Sequence, residues 1–239
     1  MKISKYYLAS FLIGICIMFV FSSCAKTHQA KKVEEEGFIE DYSQLHEDKE
    51  GLSNLIYINQ DIDFTKFDKI WIETLTFFVF EGSDLEKASQ EDLEELLKYL
   101  NKALVRELSE DYEFVDQAGP ETIQFRFAIT QLSGQNRVSN TVSTYVPQAR
   151  AFSALKKLAT GKQMGVGSAA YEAEMLDSVT GEKLAASMGA RTGGKQIGGS
   201  VTDKYRDFKA ASDLWAGNLK RRLENLRAKS AEKKAEGGY

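Results

Sequence analysis

Apolar and polar residues recur along this chain with two periods, and each period predicts an element. KIWIETLTFFVF, residues 69–80, is aromatic and branched on both faces and predicts a first strand. A loop, EGSDLEKAS, follows. Ser89-Gln90-Glu91-Asp92 has the pattern of a capping box, in which a serine side chain accepts from a first-turn N–H. Behind it Leu93, Leu96, Leu97, Leu100, Leu104 and Leu108 fall on one helical face, with Glu and Lys opposite. YEFVD, residues 112–116, predicts a short strand. After the Gly119-Pro120 turn, TIQFRFAITQL (122–132) points Ile123, Phe125, Phe127 and Ile129 one way and Gln124, Arg126 and Thr130 the other. That alternation is a half-buried strand.

SGQNRVSNTVST, 133–144, is polar and aperiodic. Pro147 suits the first turn of a helix to about Ala159, striped by Phe152, Leu155 and Leu158. GVGSAAYEAEMLD and EKLAASMGAR predict a hairpin around Ser178-Val179-Thr180-Gly181, and a Gly-rich loop runs on to Ser200. Phe208, Ala211, Trp215, Leu219, Leu223 and Leu226 stripe a last helix. The charged end, 228–239, reads as a disordered tail. The order βαββαββα predicts an α/β (α+β) fold: one domain over 52–227, a mixed, mostly antiparallel sheet and about three helices.

The amino-terminal end has a different pattern. Lys2 and Lys5 precede the uncharged run Tyr6–Phe21, and small residues follow, as in a secretory signal peptide. Phe21-Ser22-Ser23-Cys24 resembles the lipobox of bacterial lipoproteins. The resemblance implies cleavage between Ser23 and Cys24, removal of residues 1–23 and acylation of Cys24. Several acyl chains, at about 0.8 kcal/mol per buried CH2, anchor lastingly. Ala25 stands where Asp would be the inner-membrane retention signal in enterobacteria-like systems, and by that analogy the protein goes to the outer membrane. Residues 24–51 then form a tether. AKTHQAKKVEEE (25–36) is polar and predicted flexible, while Phe38, Ile39, Tyr42 and Leu45 of GFIEDYSQL (37–45) are expected to dock on the domain.

Composition narrows the chemistry. Without Lys2 and Lys5, 29 basic residues face 35 acidic ones, so the mature chain carries about −6 and offers no basic field for nucleic acid. Cys16 leaves with the signal and Cys24 is acylated, which leaves no thiol for a disulfide or a metal. His28 and His46 both lie near the tether, so the predicted body has no histidine for acid–base work or metal ligation. No cofactor or metal is expected.

What remains is carboxylate, Lys, Tyr or Ser chemistry. Glu172 and Glu174 are two apart on a strand, hence on one face and about 7 Å apart by strand rise, with Asp177 at the hairpin. Such a cluster can do acid–base work, as in glycosidases. The plainer reading is a polar sheet face on which Arg126 or Lys183 pairs with the carboxylates. GARTGGKQ (189–196) nearly matches a P-loop, but Gln196 replaces the magnesium-binding hydroxyl, so no nucleotide is expected. Ser168 and Ser178 have no recognisable base.

Two of these segments resemble a known family. Gly37-Phe38-Ile39-Glu40-Asp41-Tyr42-Ser43-Gln44-Leu45 looks like the G-F-L-x-D-Y-S-x-L opening of the bacterial lipoprotein family DUF3313. GSAAYEAEMLDSVTGE (167–182) looks like its E-x-E-x-x-D-x-x-T-G hairpin, and Trp215-Ala216 matches its W-A. The resemblance, over about residues 37–226, implies a lipid-anchored envelope protein and assigns no catalytic residue. The expected function is a periplasm-facing module that binds an envelope protein. The alternatives are a carboxylate-dependent hydrolase of envelope glycan and a structural subunit of a transport complex.

Overall fold

Three long strands form the centre of the fold. The structure, a computed structural model, describes residues 27–30, 33–78, 88–133, 168–193 and 205–237. Within them the strands are β1 (Thr27–Gln29), β2 (His46–Glu47), β3 (Leu55–Ile58), β4 (Lys69–Phe77), β5 (Glu113–Val115), β6 (Thr122–Ser133), β7 (Ser168–Asp177) and β8 (Lys183–Gly193). They form one sheet in the order β2-β3-β8-β7-β6-β4-β5, with β1 also on β8. β4 is parallel to β5 and β6, and the other pairs are antiparallel. The mixed, mostly antiparallel α/β sheet therefore stands as expected.

Two α-helices, α1 (Gln90–Leu108) and α2 (Arg206–Ala235), are present among the described residues. The helix expected over 147–159 lies outside them. The Ser89 side chain accepts from Asp92 N–H at the start of α1, as the capping pattern requires. Leu96, Leu100, Leu104 and Leu108 of α1 and Phe208, Trp215, Leu223 and Leu226 of α2 pack on Ile123, Phe125, Phe127, Ile129, Tyr171, Ala173 and Met175. The alternation read along β6 and β7 thus separates the helix-covered face from the far face. One position departs from it. A register shift between Ile129 and Gln131 leaves Thr130 1% exposed rather than on a polar face.

Two boundaries are corrected. The tether is not flexible throughout, because Thr27, His28 and Gln29 pair with Gly193, Thr192 and Arg191. Backbone pairing on a strand edge needs no apolar side chain. The predicted disordered tail, 228–239, is helical as far as Ala235. Its Ser230 is buried and accepts from Phe64 N–H in the 3-10 turn Phe64–Lys66, and Lys234 lies 3.4 Å from Asp63.

Gly189 meets a steric demand that the sequence pattern hides. A Cβ there would lie 2.6 Å from the Tyr171 ring, which stacks on Phe127 and meets Trp215 edge-on. Gly189→Ala should overpack this aromatic cluster and destabilise by about 1–3 kcal/mol. A chemical melt with an unchanged midpoint would show that Tyr171 has room to move.

Candidate functional site

The far face of the sheet carries the predicted carboxylates. Glu172 and Glu174 on β7 are 0% and 2% exposed. Arg126 is the register partner of Glu174 on β6, and its Nη1 donates to Glu174 Oε2 at 2.9 Å. Lys183 Nζ lies 3.0 Å from Glu174 Oε1, and Arg126 Nε lies 3.5 Å from Glu73. The expected pairing with Arg126 or Lys183 therefore holds for Glu174, with both cations.

Glu172 has different partners. Its Oε1 accepts from Glu36 N–H at 2.7 Å, and its Oε2 accepts from Phe38 N–H, Ile39 N–H and the Tyr42 hydroxyl at 3.0, 3.1 and 2.5 Å. The GFIEDY segment wraps its backbone donors around one carboxylate. Gly37, at φ +99°, permits the turn that aims donors on both its sides at a single anion. Gly37 N–H in turn donates to the Tyr42 oxygen. Burial, and then the hydrogen bond to Glu172 and its charge, push the Tyr42 hydroxyl well above its ordinary pKa. Phe38 and Ile39 pack with Ala128 and Ala186 beneath, the Phe38 ring meets Phe78 edge-on, and the Arg126 guanidinium lies 5.2 Å from the Phe38 ring centre. The docking expected of Phe38 and Ile39 is thus present, and Glu172 is its polar centre.

Asp177 does not join the pair. It closes the hairpin, with Oδ1 accepting from Val179 and Thr180 N–H at 2.9 Å, and Gly181 follows at φ +72°. Ser178 exchanges hydrogen bonds with the Gly119 backbone. Gly189–Gly193, the first part of the P-loop-like segment, is extended strand within β8. Cys24 and Ser23 lie outside the described residues.

A second buried charge centre had no local sequence signal. Asp48, just after β2, accepts from Glu50, Leu52 and Ser53 N–H and the Ser53 hydroxyl, and Arg222 of α2 donates to it. Arg222 also contacts Glu50 at 2.9 Å. Burial alone would raise the Asp48 pKa, but the Ser53 and Arg222 hydrogen bonds outweigh it and hold the carboxyl below its ordinary value. A depressed folded-state pKa gives stability that is present above the unfolded value, near 4, and is lost as pH falls through the lower folded value. Asp48→Asn should therefore be less stable at pH 7 and lose less further stability than the parent between about pH 4 and 2. Urea midpoints across that range measure this, and parallel curves would contradict it.

A cavity of about 50 Å³ lies between α2 and the helix-side face, lined by Leu104, Tyr171, Met175, Ser187, Trp215 and Arg222 among others. Glu172 and Glu174 do not line it. Among the described residues Glu172 meets the amino-terminal segment, and Glu174 meets Arg126 and Lys183.

Residues 34–219 match the family described as protein of unknown function DUF3313. The uncharacterized lipoprotein YdcL of Escherichia coli K12 is 27% identical over 176 residues, covering 72% of this chain and 76% of that protein, and its O157:H7 counterpart gives the same values. Among solved structures, a PelC dodecamer from Paraburkholderia phytofirmans aligns at a TM-score of 0.37 and 9% identity, over 69% of this chain and 94% of that one. A PDZ domain protein from Parabacteroides distasonis aligns at 0.30 and 14%, over 69% and 34%. Scores this low carry neither fold nor function across. The matched span contains both halves of the carboxylate clamp, the GFIEDY segment and the E-x-E hairpin, and the chain belongs to the DUF3313 family.

Proposed function

We propose that this protein is a lipid-anchored module of the bacterial outer membrane, facing the periplasm, whose α/β domain binds another envelope protein. The lipobox-like Phe21–Cys24, the position of Ala25 and the lipoprotein relative support the anchor and its address. The observation that carries the binding reading over the hydrolase reading is the occupation of Glu172. Its two oxygens receive three backbone N–H groups and one hydroxyl, all from its own chain. A general acid or base needs an oxygen within reach of substrate, and both oxygens here hold the fold.

Two measurements test the proposal. Cys24→Ser should abolish palmitate labelling and leave uncleaved or soluble protein in place of the lipidated form, and unchanged labelling and membrane fractionation would remove the anchor. A photocrosslinking residue at Val179, which is 64% exposed at the hairpin tip, should give a discrete heavier adduct in intact cells. No adduct there or at other exposed positions, together with glycan hydrolysis by the purified domain, would overturn the binding reading.

A further inference from the structure

We infer that the domain stands directly on the lipid surface, with the end of the sheet at Gly193, Ser133 and Ser168 facing the headgroups and the Ser178–Gly181 hairpin tip pointing away. This rests on acylation of Cys24 in the proposal above. The pairing of β1 with β8 carries it. Thr27 is opposite Gly193, the last residue of β8, so only Ala25 and Lys26 separate the anchor residue from the sheet. Three residue steps span at most about 10–11 Å. The headgroup layer on each side of the hydrocarbon is roughly 5–8 Å thick. An acylated Cys24 at the base of that layer therefore leaves only a few ångströms between headgroups and sheet.

Direction follows from register. β1 is antiparallel to β8, with Gln29 opposite Arg191 and Thr27 opposite Gly193. Followed from Gln29 back to Thr27, the chain runs along the strand axis and out of the sheet at that end. Ser133 of β6 pairs with Ser168 of β7, and Ser168 with Thr192, so three long strands end together there. The opposite end of β7, Asp177, lies about 30 Å away by strand rise.

Full-length lipidated protein can test this in vesicles of phosphatidylethanolamine and phosphatidylglycerol that carry a headgroup nitroxide quencher. Acylation of Cys24 makes an engineered cysteine the one free thiol of the mature chain. A fluorophore at Thr192→Cys or Gln131→Cys should be quenched several-fold more than one at Val179→Cys or Thr180→Cys. Equal quenching at the two ends, or the reverse order, overturns the inference. Mass spectrometry of the amino-terminal peptide separates the two failures. An unacylated peptide removes the anchor itself, whereas an acylated one with equal quenching removes only the orientation.

Discussion

Glu172→Gln should destabilise the protein and release the GFIEDY segment, although it changes one atom and almost no volume. The carboxylate is fully buried and accepts from four donors, shared between both oxygens. An amide has one acceptor oxygen, and its NH2 can only donate. With the amide oxygen toward Phe38, Ile39 and Tyr42, the NH2 faces the Glu36 N–H. With the amide turned over, the Phe38 and Ile39 N–H groups meet it instead. A hydrogen bond to a charged group is worth about 1.5–3 kcal/mol, and a stranded buried donor costs about 1–3 more. The total is capped, because the segment can undock and return its donors to water. We expect a loss of about 3 kcal/mol, or roughly 6–12 °C in Tm for a domain of this size. Amide exchange at Phe38 and Ile39 should lose its protection while the β6–β7–β8 core keeps its own. A mutant with wild-type melting and wild-type exchange would show that the carboxylate does not hold the segment. Arg126→Ala should be milder, since Lys183 remains beside Glu174.

The two residues of the E-x-E motif show what a sequence can and cannot reveal. Their shared face followed from the two-residue period of a strand, and Arg126 as a partner followed from alternation on the neighbouring strand. Both are local facts, and register supplied the contact between Arg126 and Glu174. Glu172 is held by residues 130 to 136 positions away. Nothing in the local pattern of either segment announces the other. The same holds for Asp48 and Arg222, 174 positions apart, and for Gly189, whose need for no side chain comes from a ring on the next strand.

The misread boundaries have a common cause. Thr27–Gln29 is a strand because an edge of β8 was open to backbone pairing, and polar side chains on an edge leave no amphipathic trace. AKSAEKKA, 228–235, is rich in Ala, Lys and Glu, which favour helix. A solvated helix and a disordered tail share that composition. The deciding feature is one serine against the Phe64 turn. By contrast, the leucine stripe of α1 and the alternation of β6 were legible because each buries a full face against the core, and burial is what sequence periodicity records.

Trp215→Ala should be the most damaging single truncation of the helix-side core. The indole is 4% exposed and lies among Phe127, Tyr171 and Phe208, with ring centres 6.0, 5.0 and 6.2 Å away. Large aromatic truncations in cores cost about 3–5 kcal/mol, and the cost grows with the void left behind. Trp215 already borders the cavity of about 50 Å³. Truncation would enlarge that space rather than let the walls close on it, which places the expected loss in the upper half of the range. Trp215→Phe should behave differently. Among the described residues no group accepts from the buried indole Nε1, so phenylalanine keeps much of the aromatic contact and removes a polar atom that these residues leave without a partner. Its loss of volume is partly offset, and we expect it within about 1 kcal/mol of the parent. Urea melts of both variants decide the matter. If Trp215→Ala melts with the parent, α2 is not seated on the sheet at this residue. If Trp215→Phe falls as far as Trp215→Ala, the indole N–H has an essential acceptor in solution.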